Sequence, residues 1–399
     1  MSAGTLLLFR DDPYLLEFDA TVVARRRHQG RPAVVLDRTA FYAESGGQPW
    51  DLGTLGESRV LAVIKSGDEV VHVLDADPGA DRVHGRVDAE RRHDHRQQHH
   101  GQHLLSRAFV EAAEARTVSF HLGEKTCSID LDRPVGEDAV AAAERRANEV
   151  VWQARPVTVR TLTREDARAQ GIEVPPEADA GVRVVEAEGF DRQPCGGTHP
   201  RSTAEVGVVL VLAHERYKGG TRVHFACGFR ALGHARARGD LLERAGAVLS
   251  AAPAGVPEAA QRLKDQLAEA QDRGEQLLRR ALEGEARTLL AARASAAEPV
   301  VAVYPGWPAA DVRALAQQLV ARAPCVALIG GVTDRAHVVF AQSDGLPHDL
   351  GALLQEALRA LGGRGGGRGN LVQGGSERTD GLPAALEAAA RRVRERAAS

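Results

Sequence analysis

Methionine occurs once, aromatic residues make up 4% of the chain, and cysteine is limited to four positions in 399 residues. Each scarcity excludes something. Cys127, Cys195, Cys227 and Cys325 are too few and too scattered to form the disulfide framework of a small secreted domain. No apolar run approaches the roughly 20 residues that a membrane helix needs. The Leu6 to Phe9 stretch is also too short for a signal peptide, so a cytoplasmic protein without membrane contact is expected. Neither sign of charge dominates: 51 Lys plus Arg against 54 Asp plus Glu give a net charge of -3. That argues against a chain coated in positive potential, but it allows a local basic surface for an acidic partner. Lysine is scarce too, with four among the 51 basic residues, leaving 47 arginines. Their planar forks suit phosphate and carboxylate, although genomic base composition accounts for the same bias.

The length is enough for two to four domains of about 100 to 200 residues. From Phe18 to Val87, short alternating apolar runs separated by Gly and Asp turns predict a strand-rich segment. After the polar cluster Arg91 to Gln98, a helical pattern begins near His99, and a second helix is expected over residues 137–153. Strand candidates at 127–131, 157–162, 182–186, 206–213 and 222–227 make this part a mixed α/β domain. Residues 234–297 turn rich in Ala, Leu, Glu, Arg and Gln, with a break at Pro253 to Pro257. This predicts two helices around a turn. Leu263, Leu267, Ala270, Gly274 and Leu277 have the spacing of a coiled-coil seam, which Gly274 and Gly284 weaken. The last hundred residues read as a separate small α/β domain, with a glycine-rich loop from Gly362 to Asn370 between its final helices.

Three segments could carry chemistry. His99 and His103 stand four apart on a predicted helix and project from one face, as a metal-holding pair does; His93 and His95 also make the segment simply His-rich. In Cys195-Gly196-Gly197-Thr198-His199, two glycines allow a tight loop to bring a thiolate and an imidazole together. Both pairs combined form a three-histidine, one-cysteine set suited to tetrahedral zinc. Phe41 to Pro49 contains Glu44, Ser45, Gly46, Gly47 and Gln48, which reads either as a ligand-facing loop or as a hairpin turn. Cys127, Cys227 and Cys325 lie in apolar runs and are expected in cores.

Together these segments resemble the editing domain of alanyl-tRNA synthetase and its free-standing AlaX relatives, over roughly residues 1–232. Phe120 to Asp130 and Lys218 to Gly228 add to the match. Gly365 to Arg368 with Gln373 to Gly375 resembles the DHH-associated domain that ends the long AlaX forms. The resemblance implies an α+β multidomain chain in four parts. These are a β-barrel-like domain (1–90), an α/β zinc-containing editing domain (91–232), a helical hairpin or coiled-coil spacer (233–298) and a DHH-associated α/β domain (299–399).

It further implies a Zn2+-dependent deacylase that hydrolyses the ester of Ser-tRNA(Ala), and by extension Gly-tRNA(Ala). Zinc would be held by His99, His103, Cys195 and His199, with Gln48, Gly46 and Gly47 at the aminoacyl end. Glu44, Ser45, Gln102, His121 and Asp130 would border the pocket. Alanine tRNA is the implied partner, gripped with the help of Arg364 and Arg368, and a homodimer could form through the helical arm or the C-terminal domain. No adenylation domain, P-loop or DHH phosphoesterase signature is found. Position 100, a small hydroxyl residue in the family, is His100 here, which adds a rival ligand and puts any hydroxyl contact in doubt. A non-catalytic, zinc-stabilised RNA-binding protein is the alternative.

Overall fold

The computed structural model describes residues 4–174 and 181–397, which divide into two units, Met1–Ala247 and Val248–Ser399. In the first unit, Glu17–His28, Arg31–Leu36, Glu69–Leu74, Ser58–Ser66, Gly53–Leu55 and Arg82–Val87 hydrogen-bond in that order and close into a barrel. Burial alternates residue by residue along Arg82–Val87, as the period-two pleat requires of a strand with one face on a core. The barrel is filled by Phe18, Leu36, Phe41, Leu55, Val63 and Leu74.

A four-stranded antiparallel sheet follows, in the order Val209–Tyr217, Gly220–Cys227, Cys127–Leu131 and Thr117–Leu122. Helices α1 (Ala89–Ala113) and α2 (Glu137–Trp152) share one core with it, centred on Leu104, Leu105, Phe109, Ile129, Val150 and Phe225. The strands Val157–Leu162, Val182–Ala187 and Asp191–Pro194 form a third, antiparallel sheet, with α3 (Arg164–Ala169) beside it. Both sheets being antiparallel, this segment is α+β rather than the α/β expected. Helix α4 (Gly228–Leu249) ends the unit.

Helix α1 starts ten residues before the expected point. Asp88 caps it by accepting from the Arg91 N–H at 3.0 Å, and the polar run that hid the helix is buried by partners rather than by hydrophobicity. The Arg92 side chain is fully buried against Asp51 and also donates to Pro13 O and Ala40 O. Gln98 pairs with the backbone of Cys227 in both directions, at 2.8 and 2.9 Å. Arg230 forms a bidentate ion pair with Asp94.

In the second unit, α5 (Val256–Ala291) leads to a five-stranded sheet ordered Val300–Pro305, Val326–Val332, Ala336–Gln342, Leu371–Ser376 and Arg364–Arg368. Its first pair is parallel and the rest antiparallel. Helix α6 (Ala309–Arg322) shares one core with Leu282 and Ala286 of α5. Helices α7 (Leu350–Leu361) and α8 (Leu382–Ala397) build the other. Leu263, Leu267 and Leu277 of the expected seam are exposed.

The expected glycine loop is instead an edge strand, Arg364–Arg368, paired with Leu371–Ser376. Backbone ladders need no side chains, and a Cβ on Gly365 would stand 2.5 Å from Gly374 Cα, so the pair can meet only as glycines. Among the described residues, no helix is long and apolar enough to cross a membrane.

Candidate metal centre

Helix α1 places His99 and His103 one turn apart, both buried. The loop after Asp191–Pro194 brings Cys195 and His199 to the same point. Its shape is held from behind: the Cys195 N–H donates to Arg183 O at 3.0 Å, and Arg183 Nη1 donates to the carbonyls of Cys195 and Gly197 at 2.7 and 2.9 Å. Cys195 Sγ lies 3.4 Å from His99 Nε2 and 3.2 Å from His199 Nε2. The four donor atoms all fall within 4.8 Å of one another. A tetrahedral zinc with bonds of about 2.0 to 2.3 Å sets its ligand atoms about 3.3 to 3.8 Å apart; the donor set suits that ion in chemistry, and the two cysteine–histidine separations of 3.4 and 3.2 Å lie close to that spacing.

The electrostatics agree with a ligand role. Burial by itself would raise the Cys195 thiol, yet the imidazoles of His99, His199 and His103 hold it well below the usual thiol range, as a metal ligand requires. Burial lowers His199 to about 3. For His103, burial is outweighed by Cys195 and Asp191, which raise it to about 9. By contrast, burial raises the Cys127 thiol to about 12 and Cys227 well above its ordinary value; with Cys325 they are buried in cores, as expected.

The segment from Phe41 to Pro49 is a hairpin turn. Ser45 and Gln48 exchange backbone hydrogen bonds at 3.0 and 3.3 Å. Gly46 and Gly47 between them have φ of 53° and 78°, both in the left-handed region that favours glycine. Glu44 and Ser45 are exposed on the turn, whereas Gln48 is fully buried. Gln48 Oε1 accepts from the Thr198 N–H at 3.0 Å and lies 2.8 Å from His99 Nδ1, while its Nε2 donates to Thr198 Oγ1 at 2.9 Å. Its polar atoms are thus spent on His99 and on the cysteine loop.

Other sequence-predicted residues lie apart from the four donors. Gln102 donates to Ser106 Oγ at 2.9 Å. Asp130 pairs with Arg222 across the sheet at 2.6 and 2.8 Å, and those hydrogen bonds hold its carboxyl below the usual range. His121 is exposed on its strand. Its neighbour Phe120, which the sequence reading placed within the match but did not name as a site residue, has its ring centroid 6.1 Å from that of His99 and covers Gly47. Strand alternation was the available signal, since residues 120 and 121 must face opposite ways. His100 is not a rival ligand: it is buried behind His199, with the two Nδ1 atoms 3.1 Å apart, and lies outside the four-donor cluster. Arg364 and Arg368 are exposed on the edge strand of the second unit.

Three family models match the chain. These are the Threonyl and Alanyl tRNA synthetase second additional domain over residues 182–224, tRNA synthetases class II (A) over 14–91, and the DHHA1 domain over 297–395. The alanyl-tRNA editing protein AlaX-L of Pyrococcus horikoshii is 29% identical, across 92% of this chain and 93% of that protein. An alanine–tRNA ligase of Methanopyrus kandleri is 32% identical across 95% of this chain but only 43% of the ligase. The alanyl-tRNA editing protein Aarsd1 of Rattus norvegicus is 35% identical across 53% of this chain and 56% of that protein.

Proposed function

The chain belongs to the family of alanyl-tRNA synthetase editing domains, in the layout of the long AlaX form, and from that membership we propose that it is an aminoacyl-tRNA deacylase. The substrate in this reading is alanine tRNA mischarged with serine, or with glycine, and the bond broken is the ester. The observation that carries it is the buried convergence of His99, His103, Cys195 and His199.

These four residues would hold a zinc ion, whose Lewis acidity would act on water or on the polar group of the substrate. The chain's own residues do the positioning. Gln48 acts through His99, fixing the ring that it accepts from. The Gly46-Gly47 turn, against which Phe120 packs, and the Phe120 ring near His99 would line the approach to it, where a serine hydroxyl would find a polar partner and the methyl of alanine none, which would spare the correct product. The exposed Glu44, Ser45 and His121, with Asp130 and the buried Gln102 of α1, would border the substrate pocket. Arg364 and Arg368 would contact tRNA phosphates, and the exposed leucines of α5 would serve a homodimer. The four-part division at residues 90, 232 and 298, and a cytoplasmic location, belong to the same proposal.

One observation favours a second reading. A set of four protein donors is the closed arrangement of structural zinc, which fits a non-catalytic, zinc-stabilised RNA-binding protein. Hydrolysis of Ser-, Gly- and Ala-tRNA(Ala) by wild type and Cys195→Ala, with metal content assayed in parallel, separates the two. Release of serine or glycine but not alanine, lost together with the metal, is expected. No release by zinc-loaded wild type would leave the RNA-binding reading in place.

A further inference from the structure

Each of the three histidines in the cluster has an outer partner. Nδ1 lies 2.8 Å from Gln48 Oε1 in His99, 3.3 Å from Asp191 Oδ2 in His103, and 3.1 Å from His100 Nδ1 in His199. The first two are oxygens: Gln48 Oε1 accepts a hydrogen bond, and Asp191 Oδ2 makes an ion-pair contact without hydrogen-bond geometry. The third is an imidazole, and two ring nitrogens 3.1 Å apart can share only one proton between them. His199 Nε2 points toward Cys195 Sγ at 3.2 Å, so a cation there needs that nitrogen's lone pair. The proton of His199 must then sit on Nδ1, and His100 must receive it with a lone pair on its own Nδ1. That leaves the His100 proton on Nε2, which is buried and has no hydrogen-bond partner. The His100 ring is 1% exposed and so cannot touch a substrate. An unsatisfied buried donor calls for a reason, and the service of Nδ1 to His199 supplies one.

We propose that His100 is a positioning residue that fixes the tautomer and orientation of His199, and through them the affinity of the site for a divalent cation. The inference rests on reading the four donors as a metal set. It assigns this chain's departure from the family's small hydroxyl residue to the support of a ligand rather than to ligation or substrate contact. Outer partners of metal-bound histidines act in this way generally, and their loss costs about 10- to 100-fold in metal affinity.

The test combines two-bond 15N–1H spectra of histidine-labelled protein with chelator competition for Zn2+ and the absorption of the Co2+-loaded protein. In metal-free wild type, His199 is expected to carry its proton on Nδ1; a proton on Nε2 would overturn the proposal without any variant. His100→Phe keeps a ring and removes the acceptor. It should unlock the His199 tautomer, weaken Zn2+ binding about 10- to 100-fold and shift the Co2+ bands. His100→Gln, which restores an acceptor, should recover most of that affinity. Unchanged Zn2+ affinity in His100→Phe, or a folded His100→Gln as weak as His100→Phe, would overturn it. A wild type that binds neither ion would instead remove the metal reading, while the metal-free tautomer would still decide the role of His100.

Discussion

Adjacent glycines in the cysteine loop provide a sharp test of the metal centre. A Cβ built on Gly197 would lie 2.1 Å from His99 Cε1, 2.3 Å from His99 Nδ1 and 2.8 Å from Gln48 Oε1. Ordinary contact begins at 3.4 Å, so in Gly197→Ala the imidazole must retreat by about 1.3 Å. Metal–ligand distances tolerate only about 0.2 Å, and the ring cannot move without losing its hydrogen bond to Gln48. The expected result is a Zn2+ affinity reduced by about 100-fold or more, or about 2.8 kcal/mol, on top of an overpacking cost of about 1 to 3 kcal/mol in stability. Gly196, one residue earlier, has nothing within 4 Å of its Cβ position. Gly196→Ala should therefore bind Zn2+ like wild type. Chelator competition on the two purified variants reads the difference, and thermal unfolding separates misfolding from ligand loss. Equal affinities in the two variants, or a Gly197→Ala protein that binds Zn2+ normally, would refute the argument.

Gln48→Ala should lower Zn2+ affinity by about 10- to 100-fold through His99, measured by the same competition; normal affinity would show that the outer contact is idle. Asp51→Ala strands the buried Arg92 guanidinium and should destabilise the protein by about 3 to 5 kcal/mol in urea unfolding, with Asp51→Ala/Arg92→Leu recovering part of the loss. His72 is buried in the barrel, with Nε2 2.8 Å from Thr39 Oγ1, and burial lowers it from 6.5 to about 4. Below pH 6.5 the unfolded chain takes up this proton first, so stability present at neutral pH falls by about 3 kcal/mol as the pH drops to about 4. Urea unfolding of His72→Gln should show a shallower acid limb by that amount, and an unchanged slope would refute the assignment.

Much of the fold was legible because the signals were local. The strands at 127–131 and 157–162 fall where apolar runs end in turn residues, and α2 follows the helical spacing of its apolar face. Helix α1 was misjudged at its start because Arg92 and Gln98 are buried polar residues, and the partners that make this burial tolerable, Asp51 and the Cys227 backbone, lie far away in sequence. The glycine run 365–367 was misjudged because a strand without side chains carries no periodicity to read.

The sequence by itself marked the four residues that the fold brings together, since the i, i+4 histidines and the cysteine–glycine–glycine loop carry their chemistry in residue type and spacing. It also determined the family, through motifs that keep their order. What supports the donors was decided only in three dimensions. Gln48 behind His99, Asp191 beside His103 and His100 behind His199 join segments separated by tens of residues. A hydrogen bond between distant segments exists only once the barrel, α1 and the cysteine loop have packed, and neither residue type nor spacing records which neighbour the packing will supply.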